Sequence, residues 1–299
     1  MRRRCALARI IASDGKPDKL STGDDWTVRR VLAQSGLVAI DAQVLLAHTL
    51  QRDRAWLAAH ATDALARADV DRFFALAKRR RDGEPVAYLT GHRAFWNLDL
   101  VVTPAVLIPR PETETLVEAA LARLPPSGPA HVLDLGTGSG AVALALARER
   151  PDVEVLATDV SDAALAVAAG NATRLGVTNV RFARSDWYAH LPGDAGRFDA
   201  IVSNPPYVAS GDPHLAQGDL PFEPRSALLA GPDGLSALRT IVAGASAWLA
   251  PSGWLLVEHG YDQAEAARAL MQAAGFKMLV PLRDLAGIPR VAGGRLIGP

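Results

Sequence analysis

From Thr27 to about Arg81, apolar residues recur at helical spacing. They run Val28, Val31 and Leu32, then Val44, Leu45, Leu46 and Ala47, then Phe73, Phe74 and Leu76. Residues that repeat in this way share one face of an amphipathic helix. Gly36 and Gln51-Arg52-Asp53 interrupt the pattern and Gly83-Glu84-Pro85 ends it, so residues 23–86 are expected to form a small helical domain. Between residues 87 and 105 the rhythm changes. Tyr88, Phe95, Trp96, Leu98, Leu100 and Val102, with Asn97 between two short β-like runs, predict a hairpin linking two domains. Pro111 suits the first turn of a helix, and Glu112 and Glu114 complement its positive end; that helix is expected to reach about Leu124, before Pro125-Pro126.

From residue 131 onward, short apolar runs alternate with alanine-rich helical stretches. Strands are expected at 131–135, 153–158, 180–183, 198–203, 254–258, 277–282 and 290–297. This alternation predicts an α/β domain over residues 106–299 with a doubly wound, mostly parallel sheet of seven strands. Only residues 283–289 separate the last two strands, too few for a helical crossover, so an antiparallel pair is expected at one edge. Residues 1–22 lack either rhythm and are expected to be a flexible extension. Arg2-Arg3-Arg4 followed by a short apolar stretch imitates a signal peptide, but no small-residue cleavage site follows.

Composition narrows the function classes. Apolar residues are 49% of the chain and charged residues 21%, as in soluble globular proteins, and no apolar run reaches membrane-spanning length. Lys plus Arg and Asp plus Glu each total 32, which argues against a broad electrostatic grip on nucleic acid. Lys78-Arg79-Arg80-Arg81 reads as a solvated helix face, with contact to an RNA-bearing partner as the second reading. The lone Cys5 excludes an intrachain disulfide framework and points to a reducing, cytoplasmic setting. The histidines show no metal-ligand spacing.

The stretch with the most chemistry is Ile201-Val202-Ser203-Asn204-Pro205-Pro206-Tyr207. Its apolar run reads as a buried strand that two prolines must stop at about Ser203, since neither can donate to a sheet ladder. Asn204 is thereby presented at a strand's carboxyl end, where open α/β sheets place ligands. Pro205 and Pro206 offer carbonyls without N–H groups, so the turn accepts hydrogen bonds. The Asn204 oxygen and the neighbouring Pro205 carbonyl could hold both hydrogens of an NH2 group, and Tyr207 offers a flat face for stacking.

A second motif follows the first strand of the sheet: Asp134-Leu135-Gly136-Thr137-Gly138-Ser139-Gly140, opening a helix at Ala141. Glycines there let a ligand approach a helix N-terminus closely. Gly136, Gly138 and Ala141 also satisfy the dinucleotide fingerprint, so a nicotinamide-dependent dehydrogenase stays open on this motif alone. Three details favour S-adenosylmethionine. Asp134 is placed for the cofactor's amino-acid end, Asp159 ends the second strand where a carboxylate accepts from ribose hydroxyls, and Asp186 with Trp187 follows the third strand where adenine would lie; the Asp159 carboxylate equally suits NAD and does not discriminate.

Together with Pro85-Val86-Ala87-Tyr88-Leu89-Thr90-Gly91, Phe95-Trp96, residues 107–114, Phe222-Glu223-Pro224 and Asp233-Gly234-Leu235, these motifs occur in the order of the HemK/PrmC family. The chain resembles those peptide chain release factor glutamine N5-methyltransferases over nearly everything after residue 26. The resemblance implies a class I S-adenosylmethionine-dependent methyltransferase fold, a cofactor site at Gly136, Thr137, Gly138, Ser139, Gly140, Asp159, Asp186, Trp187 and Asn204, and a substrate site at Asn204, Pro205, Pro206 and Tyr207, of which Asn204, Pro205 and Tyr207 are expected to be catalytic. Its implied partner is the Gly-Gly-Gln loop of a release factor, with the N-terminal helical domain recognising that factor. Arg110 would close the site or start a helix, and Glu223 and Pro224 would shape a nearby loop. The Asn-Pro-Pro-Tyr motif is shared with ribosomal-protein glutamine and nucleic-acid adenine N6 methyltransferases, which are the alternatives, as is a module that binds the cofactor without transferring its methyl group.

Overall fold

The computed structural model describes residues 26–296; the expected extension over residues 1–22 and the last position of the final predicted strand lie outside them. The chain divides into two compact units between Phe74 and Ala75, inside a single helix. In the first unit, α1 (Val28–Gln34) starts at Thr27, whose side-chain oxygen accepts the Arg30 N–H at 3.3 Å. α2 (Ala39–Leu50) ends at Gln51 in the left-handed region, and α3 (Arg54–Ala59) starts where Asp53 accepts the Trp56 N–H at 2.7 Å. α4 (Arg67–Arg81) follows. Val28, Val31, Leu45, Leu46, Val70 and Phe73 are fully buried, which is why the helical rhythm was legible there.

In the second unit, the basic run at the end of α4 is matched by carboxylates: Lys78 pairs with Asp82, Arg79 with Glu84 and Arg80 with Asp219. α5 (Val86–Thr90) leads into an antiparallel hairpin of β1 (His92–Phe95) and β2 (Leu98–Val101), which turns at Trp96 with φ 55°. A single 3-10 turn, Pro111–Thr113, precedes α6 (Glu114–Leu121). The helix stops short of Leu124, because Pro125 disfavours helical backbone in the residue before it.

The remaining elements build the sheet: β3 (Ala130–Leu135), α7 (Ala141–Glu149), β4 (Val153–Asp159), α8 (Asp162–Leu175), β5 (Val180–Arg184), β6 (Phe198–Ser203), α9 (Ser236–Trp248), β7 (Leu249–Glu258), α10 (Ala264–Ala273), β8 (Lys277–Arg283) and β9 (Pro289–Arg295). Its order is β5-β4-β3-β6-β7-β9-β8, parallel through β7. β8 and β9 pair antiparallel as expected, but only β8 lies at the edge; β9 returns between β7 and β8 and pairs with both. β7 begins well before residue 254. The strand passes through Pro251-Ser252-Gly253 with Ser252 at φ 67° and a register shift opposite Phe198.

One face of the sheet packs Val132, Val155, Val202 and Leu256 against α6 and α7; the other packs Leu133, Leu135, Ile201, Leu255 and Val257 against α9 and α10. Ile201 and Val202 are completely buried. At about 1.5–3 kcal/mol for each such side chain, this anchors the end of β6 firmly. Strand order runs outward in both directions from the β3–β6 pair, so the connections leaving their carboxyl ends diverge and open a crevice there. Among the described residues no helix is long and apolar enough to cross a membrane, and no cluster of His, Cys, Asp or Glu could hold a metal ion.

Candidate active site

Both motifs reach this crevice. Beyond β3, the Gly136 and Thr137 N–H groups donate to the Thr158 carbonyl, each at 2.9 Å, and pull the loop across β4. Gly136, Gly138 and Gly140 have φ of 74°, 56° and 85°, a region that costs other residues roughly 1–2 kcal/mol. Asp159 holds the loop from the side: Oδ2 accepts the Gly138 N–H at 3.0 Å and Oδ1 the Ser161 N–H at 2.9 Å.

Asp134 lies beneath the loop, 1% exposed, and accepts the Thr137 hydroxyl at 2.7 Å. Burial pushes its carboxyl up to about 7, outweighing the hydrogen bonds from Thr137 and the Ala143 backbone; the nearby Asp159 charge adds to the rise. After β5, the Ser185 hydroxyl donates to the Trp187 carbonyl at 2.8 Å and accepts the His190 N–H at 3.1 Å. This fixes Trp187 at φ 48° with its ring alongside Gly136.

On β6, the Ser203 hydroxyl donates to the Leu135 carbonyl at 2.7 Å, tying the two motif-bearing strands together. Asn204 follows. Its Nδ2 donates to Thr113 Oγ1 at 3.0 Å, whereas its Oδ1 is buried without a hydrogen-bond partner among the described residues. The Tyr207 carbonyl accepts from Gln263 Nε2 at 3.0 Å. A Cβ at Gly234, where φ is 73°, would stand 2.5 Å from that carbonyl oxygen, so the Asp233-Gly234-Leu235 motif buttresses the Asn-Pro-Pro-Tyr turn. Arg110 donates to Glu223 Oε2 at 2.6 Å, and the Ile108 N–H donates to Glu223 Oε1 at 3.0 Å. This buried contact joins the segment before α6 to the Phe222-Glu223-Pro224 loop.

A cavity of about 360 Å³ lies between these elements, within the range of small-molecule sites. Asp134, Gly136, Thr137, Gly138, Ser139, Asp159, Asp186, Trp187, Asn204 and Pro206 line it. Three expected site residues do not. Gly140 is pressed against Leu144 and Ala168, Pro205 is buried, and the Tyr207 hydroxyl is directed toward Glu258. Two residues near this turn, Thr113 and Glu258, are not among those expected from the sequence. Thr113 sits within the quoted Pro-Arg-Pro-Glu-Thr-Glu stretch but carries no signal of its own. Glu258 ends an apolar strand next to β6, a position from which a carboxylate near Asn204 was readable.

The donor set fits a cationic cofactor. Among the described residues the wall carries three carboxylates and an aromatic ring, and neither Lys nor Arg lines it. A pyrophosphate would meet these carboxylates with no cation in the wall to offset them, whereas an ammonium and a sulfonium are favoured.

The chain matches the family models described as Methyltransferase small domain over residues 113–218 and PrmC N-terminal domain over residues 27–91. It is 55% identical over 259 residues to the Release factor glutamine methyltransferase of Xylella fastidiosa strain 9a5c, covering 87% of this chain and 94% of that protein. The protein of the same name from Escherichia coli K12 is 47% identical over 255 residues, with 85% and 91% covered. Among solved structures, the T. thermophilus 16S rRNA N2 G1207 methyltransferase in complex with AdoMet and guanosine superposes with a TM-score of 0.51 at 22% identity. That match covers 68% of this chain and 49% of that one, and it is a likeness of fold.

Proposed function

The chain belongs to the release factor glutamine methyltransferase family, and from that premise we propose how its residues divide the work of an S-adenosylmethionine-dependent protein-(glutamine-N5) methyltransferase acting on the Gly-Gly-Gln glutamine of peptide chain release factors. When bound, the cofactor supplies an electrophilic methyl group on a sulfonium. Residues 136–139 let it approach the backbone closely, Asp159 accepts from the ribose hydroxyls, Asp134 faces the amino-acid end, and Asp186 and Trp187 hold the adenine.

The observation that carries the substrate reading is the buried, unpartnered Asn204 Oδ1 in a wall otherwise supplied with acid. An unsatisfied acceptor costs about 1–3 kcal/mol, and a ligand N–H recovers it. A carboxamide nitrogen is a poor nucleophile because its lone pair is delocalised into the carbonyl. Asn204 Oδ1 accepts one of its N–H bonds, fixing the nitrogen and stabilising the positive charge that grows there as the lone pair leaves conjugation. Such positioning is worth roughly 7–11 kcal/mol in favourable cases. Tyr207, set by Gln263 and Gly234, closes this turn from behind the cavity wall.

In this reading the helical segment over residues 23–86 supplies a second contact to the release factor, and the enzyme acts in the cytoplasm, where translation terminates. A Gly-Gly-Gln peptide should therefore be a far poorer substrate than the whole factor, because it forfeits that contact. The test is transfer of radiolabelled methyl among release factor, ribosomal protein and RNA, with mass spectrometry to locate the product. One methyl on the release factor glutamine is expected. Label on adenine, or on a ribosomal-protein glutamine with the release factor untouched, would refute the substrate assignment.

A further inference from the structure

β6 and β7 pair with Ser203 opposite Val257, so the next residues, Asn204 and Glu258, leave adjacent strands at the same level. Glu258 is 2% exposed, does not line the cavity, and carries an Oε2 with no hydrogen-bond partner among the described residues. The Thr113 hydroxyl, itself 3% exposed, lies close enough to favour the ionised form of Glu258, as does the Tyr207 hydroxyl. Thr113 Oγ1 also receives the Asn204 Nδ2–H at 3.0 Å. Thr113 therefore stands between a carboxylate and an amide.

A hydroxyl has one proton to give. If that proton is directed at Glu258, the Thr113 oxygen is left only to accept, and an acceptor selects the NH2 end of the Asn204 amide. Rotating that amide by half a turn would keep its shape but present N–H groups to the cavity. A substrate NH2 would then meet donors where it needs an acceptor. We propose that Glu258 is a positioning residue for methyl transfer: through the Thr113 hydroxyl it holds the Asn204 amide with Oδ1 toward the substrate. The inference rests on the reading of Asn204 as the acceptor of the glutamine NH2.

The charge state of Glu258 decides whether the device works. Burial pushes its carboxyl up to about 7, opposed by the Thr113 hydroxyl and the Arg290 charge; Glu112 adds to the rise, and the Tyr207 hydroxyl lowers it. The neighbouring His259 is buried, with Nδ1 on the Gly260 carbonyl and its pKa lowered by burial. Ionised Glu258 only accepts. Protonated Glu258 can donate to Thr113, which frees the Thr113 proton for Asn204 Oδ1 and favours the rotated amide. Transfer at saturating cofactor should thus rise about tenfold per pH unit below about 7 and level off above it.

The decisive variants are Glu258→Gln and Thr113→Val, tested by single-turnover transfer to a whole release factor at saturating S-adenosylmethionine between pH 5.5 and 8.5, values on the order of the titration under test. In both, the rate at pH 8 should fall on the order of 10–100-fold and the acidic limb should disappear, while calorimetric cofactor affinity stays within about threefold. Their combination should be no worse than either alone, because they act on one amide. Thr113→Ser, which restores the hydroxyl, should recover most of the rate lost in Thr113→Val. The inference is overturned if Glu258→Gln keeps both the parent rate and the acidic limb, or if the two substitutions lose activity additively. Should Glu258→Gln not fold, Thr113→Val decides by the same two readouts. An inactive Asn204→Ala beside a fully active Glu258→Gln sinks this inference alone. An active Asn204→Ala removes the acceptor reading beneath it.

Discussion

Asn204→Ala separates an acceptor from a structural residue, because the two roles move stability and rate in opposite directions. The substitution removes the Nδ2 bond to Thr113 at 3.0 Å, worth about 1 kcal/mol net, and with it the buried Oδ1 that has no partner. Removing an unsatisfied acceptor returns about 1–3 kcal/mol. The folded protein should therefore be unchanged or slightly stabilised, a shift of no more than about 2–4 °C in Tm for each kcal/mol in a chain of this size. If Oδ1 meets the positive charge growing on the substrate nitrogen, its loss costs about 2.7–4 kcal/mol of barrier, or roughly 10²–10³-fold in single-turnover rate. The assay is transfer of labelled methyl to whole release factor at saturating cofactor, beside a thermal scan and cofactor calorimetry. Asn204→Asp keeps the shape and an acceptor but adds charge to an acidic wall, so its rate should fall between. A Tm loss of many degrees, or an alanine rate within about tenfold of the parent, would refute the reasoning.

Asp159→Ala removes the acceptor of the Gly138 and Ser161 N–H groups and should weaken cofactor binding at least about tenfold by calorimetry; tight NAD binding by the parent would overturn the assignment. Asp134 titrates near 7 in the folded protein against an ordinary 3.8, so the folded state favours its protonated form. Stability from this group is full below about 3.8 and is lost as pH rises through about 7, with Glu258 acting in the same sense. Asp134→Asn should accordingly raise Tm above pH 7 and flatten that limb, and the parent's cofactor affinity should rise with pH through the same window as the carboxylate becomes charged. Gly234→Ala places a Cβ 2.5 Å from the Tyr207 carbonyl at a φ of 73°. It should lower Tm and, because that carbonyl belongs to the turn carrying Asn204, reduce the transfer rate more than the cofactor affinity.

Much of this was readable from local rules. The proline pair stops β6 at Ser203, as expected, because the reason is the missing N–H of proline and needs no tertiary partner. The glycine loop was legible for the same kind of reason: three positive φ values before a helix demand glycine whatever packs above them. Strand and helix alternation determined the parallel sheet, since crossovers of helical length impose it. Where local rules misled, long-range pairing had the final word. β7 runs through Pro251-Ser252-Gly253 because its ladder with β6 resumes beyond a bulge.

What the sequence determined by itself, then, was the set of chemical groups and the ends of the elements that carry them. Tertiary structure decided which groups meet. Thr113 and Asn204 are far apart in the chain, as are Arg110 and Glu223, and only the folded crevice brings each pair within hydrogen-bond distance. The partnerless state of Asn204 Oδ1 is likewise a property of the packed site, as are the raised pKa values of Asp134 and Glu258. The physical reason is that hydrogen bonding and desolvation depend on the surroundings of a group in three dimensions, whereas φ restriction and apolar periodicity are local to the chain.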